Sequence, residues 1–412
     1  IGVVFITGFM GGSYPAFYLS SFQPAAVLKG GTGKSGSKLL RKGLVTLQFA
    51  ISMFMLIGTL VIYGQMQYVR DKDLGFDKDQ MLQIDFRSRA DAEKWNVLKN
   101  ELNQNPNIGG TGASNTRPGN GTSKNIYSIE TEEGPMDELG LDNYGVDYDF
   151  FPTLGVDVIK GRNFSLEYPS DTALAVMVNE AMVRRMNWTE PIGKKINITG
   201  NDSLPLARVI GVVKDFHQQS LYDPISALMF MPRRINPTAL IKITGDLNET
   251  VEFIETAWER TYPTTAFDYT FLDEQFMENY ETDQIRGQLF LGFSGMTILI
   301  ACLGLLGLAS YTAEQRSKEI SIRKVLGART EGLMNLLIKD FVLLILFAAI
   351  PACILGYYAM MDWLEDFQYH ITPGLQIFST VLLGTVLVTI LTTGYHARKA
   401  AVANPALKLR SE

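Results

Sequence analysis

Two cysteines and three histidines are all that 412 residues contain, and that scarcity closes off several kinds of chemistry. Cys302 and Cys353 both fall inside apolar runs, where a thiol packs as a small hydrophobe. They offer neither a disulfide framework nor a cysteine zinc pattern. His217, His370 and His396 stand far apart with no ligand spacing around them. A phosphate loop is also missing. KGGTGKSGSK, residues 29–38, has the glycines and the Gly33-Lys34-Ser35 of one, but the first required glycine falls on Leu28 and no buried strand leads into it. Its glycines and serines read as a flexible linker instead. The sequence opens without an initiator Met and without the basic region of a signal peptide. Residue 1 is therefore expected to lie inside a membrane helix of a longer parent chain.

What the sequence does have is apolar runs. Crossing a bilayer takes about 20 mostly apolar residues, and residues 44–63, 288–311, 336–360 and 375–395 qualify, with residues 1–19 as a fifth and partial span. The charge is divided between them. Net charge is −6, yet residues 65–285 hold roughly 35 acidic and 21 basic side chains, and basic clusters at 29–42, 316–329 and 398–410 follow apolar runs. Basic flanks mark the cytoplasmic side, so the three clusters are expected inside and the acidic segment outside.

A segment that long cannot be a structureless loop. Residues 80–86 alternate like a strand, 91–104 have a helical pattern and the Gly-Gly after Ile108 breaks it. The order recurs with 238–244, 248–262 and 266–272, so two β-α-β pieces are expected to flank a β-rich middle at about 115–235. Within it, residues 209–213 read as a buried strand running into Lys214-Asp215-Phe216-His217, a polar turn in preference to a catalytic cluster, since no nucleophile accompanies it. Sequons such as Asn197-Ile-Thr matter only in a glycosylating host. Lys339 and Asp340 are expected at the membrane interface, and Pro351 is expected to kink its helix.

Tyr14 and Tyr395 each open a related stretch, YPAFYLSSFQPAAVLK and YHARKAAVANPALKLR, directly after an apolar run. The chain then divides into a last helix of a preceding unit (1–19), a cytoplasmic linker (20–42), a membrane helix (43–64), an external domain (65–285), a helix (286–311), a cytoplasmic helix (312–335), a helix (336–361), an external turn (362–374), a helix (375–396) and a tail (397–412). The fold class expected is an α-helical membrane protein with a large α+β external domain.

Between residues 312 and 340, Arg316, Glu319, Arg323 and Gly327 share one side of a helical wheel, beside a stripe of Ile322, Val325 and Leu326. Such a helix can lie on the inner membrane surface among anionic headgroups, or it can dock a soluble partner. Its core, SKEISIRKVLGA at 317–328, resembles the sequence after the second helix in FtsX- and MacB-like permeases of ABC transporters, although Ser321 stands where that family commonly has glycine. NPALKLR at 404–410, DLGFDKD at 73–79 and GVVKDFH at 211–217 resemble the same family, so the likeness spans the chain. The likeness is greatest to long duplicated permeases of which this chain would hold the second unit.

The resemblance implies a periplasmic core domain with porter-like β-α-β parts, in a multi-pass protein of the bacterial inner membrane. It implies a permease that is not itself an enzyme and binds no cofactor. ATP and magnesium would sit on a separate ATPase subunit, met by Glu314, Arg316, Lys318, Glu319, Arg323, Lys324 and Gly327. Further partners would be the lipid bilayer, a second permease half and a periplasmic adaptor, with no nucleic acid. Export or mechanotransmission is the function implied, with a membrane-anchored regulator of an envelope process, such as a cell-wall hydrolase, as the alternative.

Overall fold

The computed structural model describes residues 36–316 apart from 122 and 202, residues 330–402, and residues 2, 319, 322, 323 and 326. The expected first helix at 1–19 apart from residue 2, the linker up to residue 35, most of the segment 317–329 and the tail from 403 lie outside the described residues.

The described chain begins in a long helix, α1 (Gly36–Asp71), and continues as a folded domain. Its strands, in order, are β1 (Met81–Asp85), β2 (Ile108–Ser114), β3 (Ser123–Glu130), β4 (Met136–Val146), β5 (Val158–Gly161), β6 (Ala175–Asn179), β7 (Lys195–Asn197), β8 (Ala207–Val213), β9 (Leu228–Pro232), β10 (Thr238–Ile243) and β11 (Tyr269–Phe271). Between them lie α2 (Trp95–Leu102), α3 (Glu180–Arg185) and α4 (Leu247–Thr261), and α5 (Leu272–Glu278) follows β11. Three long helices close the chain: α6 (Glu281–Gln315), α7 (Thr330–Glu365) and α8 (Leu375–Val402).

The two β-α-β pieces interleave. Sheet order is β11-β1-β10-β2, and β10 runs antiparallel to both β1 and β2 while β11 runs antiparallel to β1. Each piece thus leaves room for a strand of the other, the split β-α-β arrangement. Register follows burial: Leu82 faces Ile241 and Ile84 faces Ala239, and this side of the sheet is covered by α2 and α4 through Trp95, Leu98, Ile254 and Trp258. Asp246 starts α4 by accepting from the Glu249 N–H at 2.9 Å. Phe86 stacks on Trp258 with ring centroids 6.0 Å apart.

The β-rich middle closes into a ring. β4 pairs with β3, β3 with β7, β7 with β8, β8 with β6, β6 with β9, and β9 returns to β4 in parallel from Asp142–Leu228 to Val146–Pro232. Closure removes the exposed edges an open sheet would leave. All six strands send alternate residues, among them Ile129, Leu141, Val178, Ile196, Val209 and Met229, into one apolar cluster. The opposite faces of β4, β6 and β9 feed a second cluster through Tyr144, Met177 and Phe230.

Four helices are long and apolar enough to cross a membrane, over Arg41–Asp71, Glu281–Thr312, Met334–Glu365 and Leu375–Tyr395. Each runs beyond its apolar window, since polar residues continue the hydrogen-bonded turns once the hydrocarbon layer ends. Pro351 lies inside α7. In α8 the Thr385, Thr389 and Thr393 hydroxyls donate to carbonyls one turn back at 2.7–2.9 Å, which satisfies them without water. Two compact units emerge, one of residues 57–292 with 356–377 and one of the remaining helical segments; the division falls inside all four long helices.

Replacing Trp258, which is 1% exposed, by alanine is expected to cost about 3–5 kcal/mol of domain stability. Thermal unfolding of the detergent-purified protein followed by near-UV circular dichroism checks this; an unchanged transition would contradict the packing described.

Candidate functional site

The residues selected from the sequence for docking are only partly described. Glu314 is exposed. Arg316 directly follows α6 and reaches Asp340 of α7, Nη2 to Oδ2 at 2.9 Å, with each side chain about one-third exposed. Glu319 and Arg323 pair with each other at 2.8 Å across one helical turn. Beside them Ile322 and Leu326 are 53% and 81% exposed. Lys318, Lys324 and Gly327 lie outside the described residues. Close to Arg316, the Arg41 guanidinium lies over the Tyr311 ring, 4.6 Å from its centroid.

A second constellation, which sequence reading did not find, joins the folded domain to the adjoining ends of α1, α6 and α7. It begins with two motifs quoted above. DLGFDKD follows α1, and GVVKDFH is the end of β8 and its turn; the structure packs one on the other. The His217 N–H donates to the Leu74 carbonyl at 2.8 Å, and Phe76 meets Phe216 edge-on at 6.1 Å. Gly75 has φ +80°, and a Cβ there would stand 2.6 Å from the Asp215 carbonyl oxygen. Only glycine fits both conditions. Asp215 itself holds the start of α3, accepting from the Ala181 N–H at 2.9 Å and from Arg184 at 2.5 Å, and so has a structural role.

The turn after His217 then reaches the helices. The Leu221 N–H donates to the Tyr280 hydroxyl at 2.5 Å, and the Tyr369 N–H donates to the Leu221 carbonyl at 3.3 Å. Tyr222 stacks on Tyr280 at 5.6 Å and on Phe367 at 4.2 Å. Its hydroxyl donates to Asp283, the third residue of α6. Asp283 is 2% exposed. Its carboxylate also accepts from Arg286 at 3.0 Å and, at longer range, from the Trp363 indole of α7 at 3.4 Å. A buried carboxylate is tolerated only when donors surround it, and the first turn of a helix favours negative charge. On the α1 side, fully buried Gln65 clasps the stretch after α7: its amide N–H donates to the Tyr369 carbonyl at 3.0 Å and its oxygen accepts from the Ile371 N–H at 2.9 Å.

Electrostatics reinforce this assembly. Burial, with the Asp283 carboxylate beside it, drives the Tyr222 phenol far above its ordinary range, and burial raises Tyr280 to about 12. Both phenols stay protonated at any physiological pH, Tyr222 donating to Asp283 and Tyr280 accepting from the Leu221 N–H. His217 is 5% exposed and packs edge-on against Tyr369 at 4.8 Å. Burial, and then the Lys72 ammonium, lower its pKa to about 4, so it is neutral at pH 7. Among the described residues no group of histidine, cysteine or carboxylate side chains is placed to hold a metal ion.

Comparison with known proteins places these features. Residues 43–259 match the family described as MacB-like periplasmic core domain, and residues 291–405 match FtsX-like permease C-terminal. The resemblance read from the four short motifs is therefore sound. An uncharacterized ABC transporter permease of Bacillus subtilis, YvrN, is 23% identical over 234 residues, covering 52% of this chain and 56% of that one. The macrolide export ATP-binding/permease protein MacB of Escherichia coli is 23% identical over 282 residues, covering 65% of this chain and 43% of that one. The chain thus spans about half the length of the curated relatives it matches. The periplasmic region of MacB from Actinobacillus actinomycetemcomitans aligns over 51% of this chain and 98% of that one, at 17% identity and a TM-score of 0.36.

Two outcomes follow from the joint. Because folded His217 binds its proton only near pH 4 while an unfolded histidine does so near 6.5, the unfolded chain holds more protons between those values. Stability contributed by this residue is present above the window and declines as pH falls through it. The wild-type melting temperature should drop between pH 7 and pH 5 by more than that of His217→Gln; equal drops would refute the assignment. Gly75→Ala should cost about 1–3 kcal/mol through its strained backbone, read as a lower melting temperature at pH 7, and a neutral effect would contradict the packing at that turn.

Proposed function

The chain belongs to the permease family that carries a MacB-like periplasmic core domain and an FtsX-like C-terminal segment, and from that premise we propose that it couples ATP hydrolysis on a nucleotide-binding partner to movement of its extracytoplasmic domain. The observation that carries this reading is the Asp283 junction. One loop of the domain is tied by Tyr222 and Leu221 to the ends of α6 and α7, and the Asp73–Phe76 turn that docks on the same loop is continuous with α1. A displacement of those helix ends therefore has a stiff route into the sheet and ring above them.

The input is proposed at the opposite ends of α6 and α7. Glu319 and Arg323 pair only across a solvent-exposed turn, an interaction worth little in water, so both can exchange partners when an ATPase surface arrives. Exposed Ile322 and Leu326 add apolar area to the same contact. Arg316, held by Asp340, is proposed to brace α6 against α7 next to it. The ATP site is assigned to a separate subunit: residues 29–38 lack the spacing of a phosphate loop, and YvrN carries the name of a permease alone. Relatives such as MacB of Escherichia coli, named for ATP binding and macrolide export in one chain, support export as the direction of work. The large domain then lies outside the bacterial inner membrane.

Purified full-length protein, reconstituted in liposomes with its ATP-binding partner, tests the contact. Glu319→Ala with Arg323→Ala should reduce co-purification and lower ATP turnover of the complex about tenfold or more, while the melting temperature of the extracytoplasmic domain stays unchanged. Full turnover in the double variant would sink the docking assignment.

A further inference from the structure

The folded domain is acidic, with roughly 35 acidic and 21 basic residues between 65 and 285. Against that background one concavity of about 490 Å³ is lined by four arginines and no carboxylate. Arg87 and Arg89 follow β1, and Arg233 and Arg234 precede β10. They meet because β1 and β10 are antiparallel neighbours, with Asp85 opposite Thr238 and the Phe86 N–H donating to the Pro237 carbonyl at 2.8 Å. Phe86 is fixed by its stack on Trp258, so the backbone bearing the arginines rests on the core.

The arginines are weakly engaged. Arg87 is 3.9 Å from Asp268, both side chains mostly exposed, and Arg89 pairs with Glu93 at 3.2 Å one turn along. Arg233 uses its Nε on the Ile235 carbonyl at 2.9 Å, which leaves both terminal nitrogens. Arg234 makes no ion pair among the described residues. Four like charges in one hollow repel each other, and guanidinium groups bind phosphate oxygens through paired hydrogen bonds. The volume is that of a small-molecule site, and a phosphate dianion offsets more of the charge than a single carboxylate.

Arg233 and Arg234 also line a second concavity of about 800 Å³. Its one buried cation, Lys99, is neutralised by Asp147 and Asp149, each at 2.7 Å. The remaining polar lining includes Asn96, Asn100 and Ser165, amide and hydroxyl groups that suit a polyhydroxylated body. We propose that the paired concavities bind a phosphorylated saccharide, its phosphate among Arg87, Arg89, Arg233 and Arg234 and its hydroxyls along Asn96 and Asn100.

Isothermal titration of the full protein in detergent with glucose 6-phosphate, inorganic phosphate and glucose tests this. Glucose 6-phosphate should bind about tenfold or more tightly than phosphate, and glucose should not bind. Arg234→Glu and Arg234→Gln should each weaken glucose 6-phosphate about tenfold or more without shifting the melting temperature. Asn100→Ala should weaken the sugar phosphate but not phosphate. Arg185→Glu, an equal charge change on the exposed face of α3, should leave binding intact. Equal affinity for phosphate and sugar phosphate, binding that survives both Arg234 variants, or loss of binding in Arg185→Glu would each overturn the proposal.

Discussion

A carboxylate almost wholly withdrawn from water must be surrounded by donors, and at Asp283 those donors come from three stretches of chain. Tyr222 arrives from the loop after β8, Arg286 from the same helix and Trp363 from α7. Removing any one leaves a buried negative charge short of a partner, which costs more than the bond itself contributed. The group therefore acts as a geometric condition: the loop, the start of α6 and the end of α7 must all be in place together. The stacked rings of Tyr222, Tyr280 and Phe367 fill the space around the charge, and their apolar faces keep it dry. Gln65 imposes a similar condition on α1 by meeting two backbone groups of the 366–374 stretch at once.

These constraints give the domain a defined connection to the helices. The turn at Gly75 and the turn at His217 touch so closely that a single methyl group would separate them. One turn is the direct continuation of α1, and the other is the continuation of β8, a strand of the closed ring. The ring's apolar faces share a cluster with Phe76, Phe216 and Leu272. Packed interiors resist gradual deformation, and under the proposed function a displacement of the helix ends would carry the ring and the split β-α-β sheet with it.

Much of this arrangement was legible in residue patterns. Alternation at 80–86 and 238–244 and the helical period at 248–262 located β1, β10 and α4 within a few residues; α4 has one face buried and one in water, whereas β1 and β10 are buried on both faces. Apolar length located four long helices. The interleaving of the two β-α-β pieces was not legible, since strand order depends on pairings more than 150 residues apart, Leu82 with Ile241 being one. Nor was ring closure, which rests on the parallel β4–β9 pairing. For the junction, DLGFDKD and GVVKDFH stand as separate motifs in the sequence, and nothing in either marks their contact. Nothing in the sequence around Asp283 or Gln65 marks either residue as buried. Their burial comes from tertiary packing alone. The docking residues had the opposite character: their charge and spacing were visible, and of them the structure adds the Glu319–Arg323 and Arg316–Asp340 pairs.

The central claim is that Tyr222 and Asp283 act together to hold the domain to the adjoining ends of α6 and α7, and a double-mutant cycle on the full-length protein measures it. Tyr222→Phe, Asp283→Asn and the combined variant are compared with the wild type by denaturant unfolding of the extracytoplasmic domain in detergent. The account predicts a coupling of about 1 kcal/mol or more between the two positions. Effects that add to within about 0.5 kcal/mol would contradict it.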